Sequence, residues 1–244
     1  ALTDIDNDGD LDLYVTTLFG ESDCFFLNTN GQMIDSTSQW GLAASTRSYT
    51  GWAIISSDFN NDGDLDLYQT TGRVRWQADQ YNDKDWLAEP NLLFKQINNK
   101  FELVQPLGGT NNLLVKTSHG CAAGDINSDG YIDLIVVNKD ENIDILENVL
   151  TNKVNTNWIR FDIRNIYGSP DIGTKVLIID SNGKKHYRNV ETCIGYASSQ
   201  DHVIHVGLGT QTKINELIIY WKHGTPEIIK DLKSNKTHKI MFSK

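Results

Sequence analysis

A nine-residue acidic pattern that occurs three times constrains this chain more than any other feature of its sequence. The copies occupy residues 4–12, 58–66 and 125–133, which we call loops 1, 2 and 3. Each reads D-x-[DN]-x-D-G-x-x-D. Three copies at a spacing of roughly 54 to 67 residues indicate an internal repeat.

The spacing within the pattern predicts a calcium site. Side chains at positions 1, 3 and 5 of a tight loop turn inward and offer the hard oxygen ligands that Ca²⁺ requires. Glycine at position 6 allows the sharp reversal, and a backbone carbonyl at position 7 and a carboxylate at position 9 would complete the shell. The alternative is an acidic turn without metal, in which so many carboxylates would repel one another.

An EF-hand begins in the same way and is excluded by the residues after each loop. It needs a bidentate Glu at position 12 and a helix on each side. Position 12 is Val15, Gln69 or Val136, and the residues beyond position 9 alternate as in a strand. The sequence therefore predicts loops that connect strands.

The first two repeats continue with a third and a fourth predicted strand. A tight turn at Asn30-Gly31 or Asn98-Asn99 separates these two strands, and Asn-Gly is a strong hairpin signal. Four short antiparallel strands per repeat are typical of a propeller blade. The third repeat lacks the fourth strand, and no amphipathic helix is predicted anywhere.

The polar stretch at residues 150–156 predicts a domain boundary. Residues 1–150 would form about three calcium-binding blades, and residues 157–244 a second domain. The second part has short strands with regular turn signals, which suggests a small β-sandwich. The predicted fold class is therefore all-β, a partial propeller followed by a sandwich.

Composition limits the partners. The formal net charge of −10 argues against nucleic-acid binding, and no apolar run is long enough to span a bilayer. Three calcium ions would contribute about +6, so the acidity is mostly a feature of the loops. Because the chain opens almost inside loop 1, we expect its true N-terminus upstream, with any signal peptide outside this sequence.

The spacing of the three cysteines does not indicate a disulfide framework. Cys24, Cys121 and Cys193 are far apart and form no C-x-x-C pair, so zinc and thioredoxin-type chemistry are not indicated. At most one intramolecular disulfide is possible, and its pairing stays open. Free buried thiols are the favoured interpretation.

Two sets of residues resemble known families. The three loops resemble FG-GAP/VCBS repeats, the blade units of integrin-type β-propellers. The C-terminal part resembles the ASPIC/UnbV domain, and the combination is similar to the bacterial relatives of cartilage acidic protein. The C-terminal resemblance rests on the segments at residues 157–160, 172–176, 195–200, 205–209 and 220–224.

The resemblance implies about three Ca²⁺ ions and a ligand set for each. Asn at position 3 of loops 2 and 3 lowers the ligand charge and should weaken those sites. Side-chain ligands would be Asp4, Asp6, Asp8 and Asp12 in loop 1, Asp58, Asn60, Asp62 and Asp66 in loop 2, and Asp125, Asn127, Asp129 and Asp133 in loop 3. The carbonyls of Asp10, Asp64 and Tyr131 would be the backbone ligands.

The resemblance also implies missing blades. Propellers of this family usually have several more blades, and three cannot close a ring. We expect further blades from the upstream chain or from another subunit.

Other candidate sites are weaker. The aromatic residues Trp76, Tyr81 and Trp86 could stack on a sugar or a partner, or pack against a neighbouring blade. His202 and His205 should point to opposite faces of a strand. The segment 195–200 could bind a ligand, but a turn is the favoured interpretation.

No motif for nucleophilic or zinc catalysis occurs, so the chain is not expected to be an enzyme. The first hypothesis is a calcium-stabilised extracellular or cell-surface module that binds protein or glycan. The alternatives are a catalytic or accessory part of a polysaccharide-acting enzyme, and a structural subunit of a larger surface assembly.

Overall fold

The computed structural model describes residues 1–75, 84–152, 156–193 and 195–243, and nearly all of its regular structure is β. The first repeat forms a four-stranded antiparallel sheet in chain order, sheet 1. Its strands are β1 (Leu2–Thr3), β2 (Asp12–Val15), β3 (Cys24–Thr29) and β4 (Gln32–Asp35). The turn between β3 and β4 has positive φ at Asn30 and Gly31, as a two-residue hairpin requires.

A short helix comes next, α1 (Leu42–Thr46). The sequence predicts no amphipathic helix, and α1 was not anticipated because five residues are too few to show a helical period.

The second repeat forms sheet 2, and the third forms sheet 3. Sheet 2 has the strand order β5-β6-β8-β9. Strand β7 is not part of it and pairs with β10 in a separate two-stranded sheet. The bounds are β5 (Gly51–Ser57), β6 (Asp66–Thr71), β7 (Glu89–Pro90), β8 (Leu92–Gln96), β9 (Phe101–Leu103) and β10 (Val115–Lys116). Sheet 3 contains β11 (Ser118–Gly124), β12 (Asp133–Asn138) and β13 (Asp144–Leu146). Two 3-10 helices cover Leu107–Gly109 and Val149–Asn152.

Each loop connects the first two strands of its sheet, as predicted. Sheets 1 and 2 pack around an aromatic cluster, in which the ring of Trp40 lies 5.1 Å from that of Phe25 and 5.5 Å from that of Phe101. Sheets 2 and 3 share a second core that includes Ile55 and Val136. Successive sheets packed face to face in this way form a β-propeller arrangement, as predicted.

The remaining strands form a two-sheet sandwich, which we call the C-terminal sandwich. One sheet has the order β17-β14-β20 and the other β16-β15-β18-β19. Ile159 and Phe161 of one sheet and Val176 and Leu217 of the other are buried in a single core between them. The bounds are β14 (Asn157–Arg164), β15 (Lys175–Asp180), β16 (Lys185–Asn189), β17 (Ile204–Gly209), β18 (Ile214–Tyr220), β19 (Glu227–Lys230) and β20 (Thr237–Met241). Among the described residues, no helix is long and apolar enough to cross a membrane.

The core between sheets 1 and 2 gives the first testable prediction. Phe94 on β8 is fully buried there, so Phe94→Ala should cost about 3–5 kcal/mol in free energy of unfolding. The measurement is urea denaturation. The control is Ile145→Ala on β13, because Ile145 is 62% exposed and its truncation should change stability by about 0.5 kcal/mol or less. Equal effects of the two substitutions would contradict the assigned core.

Candidate metal centre

The three loops have the same backbone conformation. Position 4 is left-handed in each loop, and position 6 is a glycine at positive φ. The φ angles are 59°, 60° and 62° at Asn7, Asn61 and Ser128, and 103°, 89° and 88° at Gly9, Gly63 and Gly130. A residue with a Cβ is strained at the φ angles of position 6, which accounts for the glycine there, whereas the asparagine at position 4 of loops 1 and 2 tolerates the left-handed region.

The aspartate at position 1 organises each loop through backbone hydrogen bonds. In loop 1, Oδ1 of Asp4 accepts the N–H of Asp8 at 3.1 Å, and Oδ2 accepts the N–H of Gly9 at 2.9 Å. Asp58 and Asp125 accept the corresponding two donors in loops 2 and 3. The shared hydrogen bonds show that the three loops are built on one plan.

Positions 3 and 5 line the inside of the loop. Asp4, Asp6 and Asp8 offer oxygen atoms that all lie within 4.8 Å of one another. Loops 2 and 3 have Asn60 and Asn127 at position 3, and each amide oxygen accepts the N–H two residues on, at 3.0 Å. The atoms that could bind a metal ion at these positions are therefore all oxygen atoms.

The aspartate at position 9 has a second role that the sequence does not predict. In loop 1, Oδ2 of Asp12 accepts the N–H of Ile5, and Oδ1 accepts the N–H of Asn28, both at 2.9 Å. Asp66 and Asp133 make the same pair of bonds. This carboxylate ties the loop to the end of the third strand or the residues just after it. That it also binds an ion stays a prediction, as does the role of the carbonyls of Asp10, Asp64 and Tyr131.

The crowded carboxylates carry an electrostatic cost. Burial raises the pKa of Asp4 to about 7, against the guanidinium of Arg188, which lowers it. Burial raises the pKa of Asp58 to about 7, and the nearby carboxylate of Asp62 adds to the rise. A bound cation would favour the ionised forms. An all-oxygen donor set of this kind suits Ca²⁺, whereas zinc sites are usually built from sulfur and nitrogen ligands.

The C-terminal sandwich covers loops 1 and 2. Nη1 of Arg188 donates to Oδ1 of Asn7 at 2.6 Å in loop 1. In loop 2, the N–H of Gly207 donates to Oδ2 of Asp58 at 2.9 Å, and Nζ of Lys184 lies 2.6 Å from Oδ1 of Asp64. The sandwich thus places hydrogen-bond donors and positively charged side chains against the acidic loops.

Loop 3 is covered in the same way. Nη1 of Arg160 donates to Oδ2 of Asp125 at 2.7 Å, and Nε2 of His205 lies 3.0 Å from the carbonyl oxygen of Gly130. The ring of Trp158 lies so close to Gly130 that a Cβ at this position would overlap the indole nitrogen. These contacts were not predicted from the sequence. One signal was available in the sequence. His186 and Arg188 are two residues apart on β16, so their side chains lie on the same face of the sheet.

The other candidates have separate outcomes. Trp76 and Tyr81 lie outside the described residues, and Trp86 is 57% exposed. In the segment 195–200, Oγ of Ser198 accepts a hydrogen bond from the N–H of Cys121 and donates one to the carbonyl of Tyr196. Ser198 therefore has a structural role. His202 precedes β17, with its Nε2 3.1 Å from Oδ1 of Asp162, and both His202 and His205 line one cavity, so the prediction that they point to opposite faces of a strand is wrong. The three cysteines are free, but only Cys121 is buried, so the expectation of buried thiols is wrong for Cys24 and Cys193.

Loop 1 gives the second testable prediction. Asp8→Asn keeps the oxygen that accepts the Asp10 N–H and removes one charge, so the calcium affinity of this loop should fall about tenfold or more. Isothermal titration calorimetry measures it. Asp140→Asn is the control, because Asp140 is exposed and outside the loops. An unchanged affinity in Asp8→Asn would mean that this side chain does not hold an ion.

Comparison with known proteins agrees with this architecture. Residues 4–68 match the family model of the FG-GAP-like repeat, and residues 168–244 match that of ASPIC and UnbV. The chain is 26% identical over 231 residues to Cartilage acidic protein 1 of Xenopus tropicalis. The match covers 92% of this chain, which spans about 33% of the length of that relative. The chain is therefore similar to an FG-GAP-like repeat at residues 4–68 and to an ASPIC and UnbV domain at residues 168–244, and it is similar over most of its length to a cartilage acidic protein.

Proposed function

We propose that this chain is a non-enzymatic, calcium-stabilised binding module that works outside the cell or at its surface and recognises protein or glycan. The observation that carries the proposal is the set of three oxygen-lined loops with one backbone conformation, each between two strands. Calcium at each loop would hold the first two strands of a blade in register.

Calcium availability supports the proposed location. Calcium-binding modules that work outside the cell use sites with dissociation constants of about 10⁻⁴–10⁻³ M, which suits loops in which an amide replaces one carboxylate. Loops 2 and 3 have an amide at position 3 and match that description. The name of the relative refers to cartilage, which supports an extracellular setting for this chain.

The ligand surface is proposed to lie away from the metal loops, because the C-terminal sandwich covers them. A groove of about 320 Å³ opens beside β5. Trp52 lines it together with the hydroxyl-bearing Thr16, Thr17 and Thr50, and with Val74, which is 52% exposed. An aromatic ring among hydroxyl groups can bind a sugar or a short peptide.

Further blades are part of the proposal. Strand β6 of sheet 2 is buried along its whole length, because sheets lie on both sides of it. On sheet 3, Val137 is 49% exposed and Ile145 is 62% exposed. We propose that blades from another part of the protein, or from a second chain, cover this sheet and complete the ring.

The third testable prediction concerns chelation. An ion that binds only the folded state adds about 2.7 kcal/mol per site at 100 times its dissociation constant. In EGTA the melting temperature should therefore fall by at least about 5 °C, as measured by scanning calorimetry. Excess CaCl₂ should restore it, whereas equal MgCl₂ should not. A melting temperature that is constant across the calcium range would count against the proposal.

The fourth prediction separates binding from catalysis. On an array of polysaccharides and matrix proteins, the chain should bind at least one class of ligand in calcium. The bound polysaccharide should remain intact when its products are analysed by chromatography. Release of shortened chains would instead favour an enzyme that acts on polysaccharide.

A further inference from the structure

Within the described residues, the C-terminal sandwich donates a hydrogen bond to the position-1 aspartate in two loops and not in the third. In loops 2 and 3, Oδ2 of this aspartate accepts a donor from the sandwich, the N–H of Gly207 or Nη1 of Arg160. Among the described residues, no residue of the sandwich donates a hydrogen bond to Asp4 of loop 1. There, Arg188 binds Asn7 at position 4 instead.

The two loops whose position-1 aspartate accepts a hydrogen bond from the sandwich are the ones with the weaker ligand set. Loop 1 has aspartate at positions 1, 3 and 5, whereas loops 2 and 3 have Asn60 and Asn127 at position 3. Fewer charged ligands give a weaker calcium site. Loops 2 and 3 therefore have more to gain from a group that orients their remaining carboxylates.

The outer donors are held firmly. The side chain of Arg160 is 11% exposed and that of Asp125 is fully buried, and a second guanidinium nitrogen of Arg160 lies 3.2 Å from Oδ2 of Asp201. At loop 2 the backbone approach is so close that a Cβ on Gly207 would overlap Cα of Asn61. In both loops Oδ2 faces these donors, and Oδ1 accepts the loop N–H at position 5, its one hydrogen bond from the part of the chain that the structure describes.

We propose that Arg160 and the N–H of Gly207 are positioning groups for calcium in loops 3 and 2, so that calcium at these loops and docking of the C-terminal sandwich stabilise each other. The inference rests on the proposed calcium function and adds its coupling to the sandwich. Groups that orient a metal ligand from outside typically change metal affinity 10- to 100-fold when they are removed. Loop 1 binds its ion independently of this contact.

The test removes Arg160 and keeps the rest of the chain. In Arg160→Gln, calorimetric calcium titration should show one site weakened about 10- to 100-fold, with the tightest site unchanged. Arg160→Lys, which keeps the charge but not the paired donors, should be intermediate. Arg164→Gln is the matched control, because Arg164 lies on the same strand and pairs with Asp162 away from the loops. Wild-type calcium affinity at every site of folded Arg160→Gln would overturn the proposal.

A second measurement needs no variant. Coupling between two binding events is reciprocal, so calcium should slow hydrogen exchange in the peptide that contains Gly207 and Gly209, whose N–H groups bond to loop 2. Exchange that is equal with and without bound calcium would overturn the coupling while leaving calcium binding intact. Failure of the wild-type chain to bind calcium at all would overturn the proposed function as well.

Discussion

The structure depends on how a cluster of carboxylates is accommodated in each of three tight loops. Each position-1 aspartate is bonded by two N–H groups of its own loop, and in two loops by a third donor from the C-terminal sandwich. These bonds compensate only part of the negative charge, since burial still raises the pKa of Asp58 to about 7. A divalent cation would supply the remaining compensation, which is why we treat these loops as calcium sites.

The loops also determine how the sheets are connected. The position-9 aspartate bonds to position 2 of its loop and to a backbone N–H at the end of the third strand or just beyond it. A loop that loses its conformation would therefore release strands at both ends. This connection links the local chemistry of nine residues to the stability of a whole blade, and it does not require the position-9 carboxylate itself to touch an ion.

The sequence was sufficient to predict the parts of the fold that have local signals. The loops follow from a fixed spacing of Asp and Gly, and the hairpins from Asn30-Gly31 and Asn98-Asn99. The two-sheet C-terminal part follows from alternating strands. Helix α1 was missed because it is too short to show a period. The contacts of Arg160 and Gly207 with the loops could not be predicted, because they depend on how distant parts of the chain dock.

Because the C-terminal sandwich covers the loops, calcium in this chain would not act as a bridge to a ligand. An ion enclosed between two parts of one chain can affect binding only through the conformations that it stabilises. Loop 1, with aspartate at positions 1, 3 and 5, would fill first, and loops 2 and 3 would bind calcium more tightly while the sandwich is docked. In this arrangement the blades and the sandwich would respond to calcium as one unit, since loosening either of them weakens the same two sites.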